Sequence, residues 1–342
     1  MNMKILVTGA AGFIGFCLIR KLQADNHQIV GLDNINTYYD TRIKFARLAE
    51  LGFAKDAISE TEITVSQHYS NVRFVKMELS DRERMDALFT AENFDCVVNL
   101  AGQAGVRYSI ENPFAYAESN LMGFLNILEN CRHHAVNQLL YASSSSVYGE
   151  DTKVPFSETA MTDSPVSLYA ATKKANELMA YSYSKLYGIP ATGLRFFTVY
   201  GPWGRPDMAP FLFLRAILHG EPIRVFNNGN LSRDFTFIDD IIAGIISVMN
   251  NPPQGEVPHR VYNIGNSKPV ALMDFISTIE RVAGREAVKI MTEMQKGDVH
   301  CTYADVSKLQ RECGYSPKTD LADGIQQFYD WYIEYCKTFE TQ

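Results

Sequence analysis

The chain has 342 residues and a formal charge of −7, with 46% of its positions hydrophobic. That is enough apolar material for one large α/β unit with a smaller lobe beside it. No Lys/Arg block stands out, which argues against a nucleic-acid-binding surface, and no apolar run approaches the ~18 residues that span a bilayer.

Short apolar, β-branched runs at residues 5–8, 28–33, 72–77, 96–101, 139–143 and 191–197 read as strands. Helical patterns fall between most of them, at 13–24, 81–90, 115–134 and 168–187. This alternation predicts a doubly wound, Rossmann-type parallel sheet, whose strands are apolar throughout because both faces are covered. Residues 34–71 form a long excursion with a helical pattern around 42–51. After Gly201 the rhythm breaks: Pro202, Pro206 and Pro210 punctuate a loop-rich stretch. We therefore expect residues 1–200 to form the main Rossmann-type domain and residues 201–342 to form mainly a smaller α/β lobe. A strand at 260–265 is expected to return to the main sheet.

Cys17, Cys96, Cys131, Cys301, Cys313 and Cys336 show neither a CxxC pair nor a metal-ligand spacing. The expectation is reduced, mostly buried thiols in a cytoplasmic protein without a metal. The chain opens directly on a strand and a glycine turn, so no leader peptide is expected.

Gly9, Gly12 and Gly15 form a GxxGxxG turn between the first strand and the first helix. Such a turn needs permissive backbone angles, close approach of a pyrophosphate, and tight helix–strand packing. The helix N-terminus then presents unpaired N–H groups to the phosphates. Asp33, closing the second strand, is placed to accept the adenosine ribose hydroxyls and to repel a 2′-phosphate, which favours NAD over NADP. Glu78 and Leu79 follow the third strand and are candidates to flank the adenine.

Tyr169 and Lys173 stand at i and i+4 and share a helix face. An ammonium near a phenol is expected to lower the phenol's pKa, so that Tyr169 can take a proton from an alcohol as hydride leaves. Upstream, Ser143-Ser144-Ser145-Ser146 place hydroxyls at a strand end, where ligands bind in this architecture.

These motifs, with Gly102-Gln103-Ala104-Gly105-Val106-Arg107-Tyr108-Ser109 and Arg195-Phe196-Phe197-Thr198-Val199-Tyr200-Gly201-Pro202-Trp203-Gly204-Arg205-Pro206-Asp207-Met208, resemble one family. It is the extended short-chain dehydrogenase/reductases that act on nucleotide sugars, and within it the UDP-glucuronate 4-epimerases. The Tyr38-Tyr39-Asp40, Arg233-Asp234-Phe235-Thr236 and Met294–Val299 stretches extend the similarity to nearly the whole chain. The resemblance implies a catalytic triad of Ser144, Tyr169 and Lys173. It also implies NAD contacts from Gly9, Gly12, Phe13, Ile14, Gly15, Asp33, Asn34, Glu78, Leu79, Leu100 and Ala101, with Tyr169 and Lys173. A UDP-sugar would meet Arg107, Ser144, Ser145, Ser146, Thr198 and Arg205, with Arg233 and Asp298 on the UDP diphosphate and ribose. The family also implies a homodimer built on the helices at 115–134 and 168–187.

Reaction type is argued from the two residues after the triad hydroxyl. Related 4,6-dehydratases carry Asp and Glu there, and UDP-glucuronate decarboxylases carry Glu at the second position. Here both are serines, neither able to move a proton at C5 or C6, which favours oxidation and re-reduction at C4. The alternatives are a UDP-glucose or UDP-N-acetylglucosamine 4-epimerase, a decarboxylase or dehydratase, and an NAD-binding redox sensor. The chain departs from relatives at Gln295 (commonly Arg in UDP-galactose 4-epimerases), at Lys296 (commonly Pro), and at Asn99-Leu100-Ala101-Gly102 (commonly His-Leu-Ala-Ala).

Overall fold

The computed structural model describes residues 2–150, 153–294 and 299–340. In chain order, β1 (Lys4–Thr8), β2 (Gln28–Asp33), β3 (Thr64–Val65), β4 (Val72–Lys76), β5 (Cys96–Asn99), β6 (Gln138–Ser144) and β7 (Ala191–Phe196) enter one sheet. The chain then leaves it through β8 (Thr198–Tyr200), β9 (Pro222–Val225) and β10 (Ser232–Phe237). It returns as β11 (His259–Ile264), parallel to β7, before β12 (Pro269–Ala271) and β13 (Val288–Met291). The order across the large sheet is β11-β7-β6-β5-β1-β2-β4-β3. Two small sheets, β12-β10-β8 and β13-β9, stand beside it.

The expected parallel sheet is present, with one addition: β3 pairs antiparallel to β4 and caps the edge. Alternate residues of each strand face opposite sides. Ile5 and Val7 of β1 join a core with Ile29, Val98 and Leu140, whereas Leu6 joins a second core with Val30, Val97 and Leu139. Helices Arg82–Glu92, Gly123–His133 and Leu168–Tyr187 cover the second face through Phe89, Ile127 and Ala180, among others. Helices Phe13–Leu22 and Ile238–Met249 cover the first.

The strand order reverses between β1 and β5, and a buried tie marks the place. Thr8 Oγ1 donates to Asn99 Oδ1 at 2.7 Å and accepts from the Ala101 backbone N at 3.1 Å. The crevice above such a reversal is where an open α/β sheet binds its ligand.

Three sequence expectations need adjustment. The helix expected over 115–134 runs as Pro113–Tyr116, a π-helical turn Ala117–Met122, and Gly123–His133. The wide turn aims Asn120 inward, where it accepts from Gln103 N and donates to Gln103 O and Thr172 Oγ1. β5 stops at Asn99, short of the expected 101, because the chain turns to make the Thr8 tie. Cys17, Cys96 and Cys131 are buried as expected, but Cys301, Cys313 and Cys336 are only half-buried. They belong to the smaller C-terminal part, which has less interior to hide them.

Candidate active site

One cavity of about 950 Å³ opens over the C-terminal ends of the parallel strands. Every residue expected to touch cofactor, substrate or the reacting atoms lines it, Asp298 apart. Asp298, with Gln295 and Lys296, lies outside the described residues.

The glycine turn shapes one end. Gly9 sits at φ +73°, and a Cβ there would come 2.9 Å from the Ala101 N. A Cβ at Gly15 would meet the Gly9 carbonyl at 2.1 Å, so a side chain there would force strand and helix apart. Gly12 caps the Phe13–Leu22 helix without a side-chain hydrogen bond, and that helix has no acid in its first turn. Its leading N–H groups are left for an anion. Phe13 and Ile14 line the cavity at this point, facing Leu100 and Ala101 across the strand reversal.

Asp33 is buried at the end of β2. Its carboxylate accepts from Ala11 N at 3.1 Å and Ile35 N at 2.8 Å, which holds both oxygens at the cavity wall. Asn34 donates to both oxygens of Glu78, at 3.1 and 2.9 Å, closing the rim beside Leu79. Bare glycine backbone, a free helix N-terminus and a fixed carboxylate are the three parts a dinucleotide requires, so these residues fit NAD.

The reacting end is built by β6 and the Leu168–Tyr187 helix. Ser167 caps this helix by accepting from Ala170 N at 3.1 Å. Glu177, two turns in, anchors it to the sheet. Its buried carboxylate takes both Nε and Nη2 of Arg195 at 2.8 Å and the Ser143 hydroxyl at 2.7 Å. That fixes the register of Tyr169 and Lys173 against Ser144. Ser144 terminates β6, donates to Ser146 Oγ at 3.1 Å, and acts on the neighbouring Tyr169 phenol in favour of the phenolate.

The electrostatics correct one expectation. Burial pushes the Tyr169 phenol above its ordinary pKa, and the groups acting the other way are Ser144 and Arg205, not Lys173. Lys173 is itself buried, which pushes its ammonium down to about 8, and its Nζ donates to the Ala142 carbonyl at 2.9 Å. Helical spacing put the two groups on one face. It could not report that the lysine points at the end of β6 and is made less basic by desolvation.

Beyond the triad, Ser145 and Ser146 open a short 3₁₀ turn over the cavity, across from Thr198 at the start of β8. Arg205 forms a bidentate pair with Asp207, its Nε to Oδ1 at 3.0 Å. Tyr38 completes this group: the Arg205 guanidinium lies 5.9 Å from its ring, and burial together with the nearby Asp207 carboxylate pushes its phenol up. Burial raises the Asp207 carboxyl, but Arg205 outweighs it and holds the group below the usual carboxylate range. Arg107 lies 5.0 Å over the Phe226 ring, and Arg233 donates to the Ser232 carbonyl at 2.9 Å.

Sequence reasoning did not single out Tyr38, Lys44, Asp207 or Phe226, all of which line the cavity. Tyr38 and Asp207 lay inside stretches that carried the resemblance, so that signal was available. Lys44, buried with Nζ on the Asn36 carbonyl at 2.7 Å, had none, since a lysine in a helical pattern reads as solvated.

The NAD dependent epimerase/dehydratase family matches residues 5–265. UDP-glucuronate 4-epimerase 2 of Arabidopsis thaliana is 44% identical over 98% of this chain and 77% of its own. A probable UDP-glucuronate 4-epimerase of Rhizobium meliloti is 42% identical, over 96% and 97% of the two chains. Among solved structures, UDP-glucuronic acid 4-epimerase from Bacillus cereus, in complex with UDP-glucuronic acid and NAD, superposes with a TM-score of 0.86 at 32% identity, covering 97% of this chain and 99% of that one. With a strand-reversal crevice, a glycine turn and a Ser/Tyr/Lys wall in one cavity, this chain belongs to the NAD dependent epimerase/dehydratase family.

Proposed function

We propose that this protein interconverts UDP-glucuronate and UDP-galacturonate by inverting C4 of the sugar. One observation carries the reading. Ser144, Tyr169 and Lys173 share one cavity wall, and the two residues that follow Ser144 are serines rather than acids. NAD supplies the hydride acceptor at C4 and, after the 4-keto sugar has turned in the site, the donor to its other face.

The residues of this chain do the rest. Ser144 bonds the reacting 4-hydroxyl. Tyr169 takes its proton and later returns one, with Ser144 and Arg205 favouring the phenolate against the cost of burial. Lys173 holds the nicotinamide ribose. Asp33 takes the adenosine ribose, Asn34, Glu78 and Leu79 border the adenine, and Phe13 and Ile14 with the three glycines receive the pyrophosphate. Leu100 and Ala101 close that side. Arg233 and Asp298 hold the UDP portion, with Arg107 beside them.

A 4-keto uronic acid is a β-keto acid and tends to lose CO₂. The enzyme must keep the carboxylate's C–C bond out of line with the ketone π system and offer no proton to C5. Ser145, Ser146 and Thr198 can fix the carboxylate by hydrogen bonds, and Arg205 adds a charge-assisted contact.

In this reading residues 1–200, with β11, hold the dinucleotide and residues 201–342 mainly hold the UDP-sugar. The protein works as a cytoplasmic homodimer supplying an activated uronic acid for polysaccharide assembly. Leu178, Tyr181 and Leu186 stand exposed along the Leu168–Tyr187 helix, and Met122 is exposed on the neighbouring one, as a helix-bundle interface requires. Among the described residues no helix is long and apolar enough to cross a membrane.

The test is a panel of UDP-sugars incubated with purified protein and no added NAD, with products resolved by NMR. UDP-galacturonate should accumulate from UDP-glucuronate with no CO₂. Faster turnover of UDP-glucose or UDP-N-acetylglucosamine, or release of a UDP-pentose, would overturn the assignment.

A further inference from the structure

Arg47 heads the fully buried side chains by size, yet its partners among the described residues are neutral oxygens. It sits on the Thr41–Glu50 helix, in the excursion between β2 and β4. Nη1 donates to the Ala11 carbonyl and the Tyr39 hydroxyl, both at 2.9 Å. Nη2 donates to the Trp203 carbonyl at 2.7 Å and the Gly204 carbonyl at 3.1 Å. Nε is buried without a partner.

Burying a cation without a carboxylate is expensive, and helix propensity alone would be served as well by a neutral residue. The two ends of the guanidinium say what the charge is for. Ala11 lies inside the Gly9–Gly15 turn. Gly204 directly precedes Arg205, whose side chain faces the sugar end of the cavity. Trp203 is held at φ +65°, a left-handed conformation that a bulky residue adopts only when its surroundings insist. Its ring packs edge-on to Phe16 at 5.3 Å and against Trp331 at 5.2 Å, and its carbonyl meets Arg47. One planar, rigid group thus spans two loops far apart in the chain, the second of them 156 residues from Arg47 itself.

We propose that Arg47 is a positioning residue that sets the spacing between the dinucleotide turn and Arg205, so that cofactor retention and choice of the charged sugar depend on the same side chain. The inference rests on the reading of the cavity given above. It touches neither reacting atoms nor, by any contact shown, the cofactor itself.

Lysine keeps the charge but cannot reach both loops with one Nζ, so Arg47→Lys is the deciding variant. The readouts are the rate at which holoenzyme releases NAD on dilution, and kcat and KM for UDP-glucuronate and UDP-glucose. Glu92→Gln, which breaks the part-buried ion pair with Arg73 outside the cavity, shows what lost stability alone does. Arg47→Lys should release NAD at least fivefold faster, raise KM for UDP-glucuronate at least fivefold, and narrow the preference over UDP-glucose by a similar factor. Glu92→Gln should lower the melting temperature and leave all three within twofold. If NAD release or sugar preference in Arg47→Lys stays within twofold of the parent, or if that variant fails to fold, the proposal is wrong and Arg47 serves stability alone. NAD release is read without turnover, and the sugar arm uses whichever UDP-sugar the parent converts. A wrong substrate assignment therefore shows in the parent, separately from the Arg47 result.

Discussion

Lys173 donates its Nζ to the carbonyl of Ala142 at 2.9 Å, so the ammonium of the catalytic helix is tied to the end of β6. Burial outweighs that bond and lowers its pKa from 10.5 to about 8. Between these values the unfolded chain holds a proton that the folded chain has released. Stability should therefore climb as pH rises from about 8 to 10.5, and below 8 the folded state carries a constant cost on the order of 3 kcal/mol. Lys173→Met removes the titration and with it the cost of the buried charge, at the expense of one hydrogen bond whose loss does not depend on pH. The difference between parent and variant melting temperatures, followed from pH 7 to 10.5, should shift steadily in the parent's favour above pH 8. A gap that stays flat across the range would show that Lys173 titrates normally.

Tyr169 carries the proton transfer in the proposed reaction, and its ring already has a fixed seat. It lies 6.1 Å from the Tyr116 ring, edge to face, and Tyr116 is anchored by its hydroxyl to the Ala104 carbonyl at 2.8 Å. Tyr169→Phe keeps that packing and removes only the hydroxyl. We expect kcat on UDP-glucuronate to fall by ~10²–10⁴, the usual contribution of a positioned acid/base, with NAD content unchanged. Full turnover in the variant would transfer the acid/base role elsewhere.

Ser146 is the position at which the reaction type can be switched. Its backbone N donates to Ser144 Oγ at 3.2 Å, so a side chain grafted there projects from the same turn as the triad hydroxyl. A carboxylic acid at this point offers the C5 proton that the parent withholds. Ser146→Glu should divert part of the 4-keto intermediate to CO₂ and a UDP-pentose, detected by NMR. Unaltered epimer formation with no pentose would mean that carboxylate geometry, not proton supply, protects the intermediate.

What the chain disclosed before folding was whatever its chemistry places locally. The glycine turn, the Tyr169/Lys173 pair and the serine-rich end of β6 each occupy a few consecutive residues or one helical turn. β11 was legible because Val261, Tyr262 and Ile264 suit a strand whichever neighbour they pair with. What stayed hidden depends on separation in sequence. Thr8 meets Asn99, and Arg47 meets Trp203, across distances at which no local pattern correlates two residues. β3 is two residues long and takes its identity only from β4. The raised pKa of Tyr169 is a property of its burial, which spacing does not encode.

The exposed stripe on the Leu168–Tyr187 helix decides the proposed assembly. Leu178 and Leu186 are 59% and 67% exposed, whereas Met179 and Tyr183 of the same helix pack on the core of their own chain. The first pair therefore contributes little to the monomer's fold, and water contact at both is unfavourable by ~25 cal/mol for each Å² left uncovered. A second copy of the helix would cover them. Leu178→Asp with Leu186→Asp should convert a dimer to a monomer in analytical ultracentrifugation, with an unchanged far-ultraviolet circular dichroism spectrum. Ser143, Arg195 and Glu177 anchor this helix from the opposite side, so the monomer should keep Tyr169 in register and retain NAD. A parent protein that sediments as a monomer at micromolar concentration would end the dimer proposal and leave the stripe without that role.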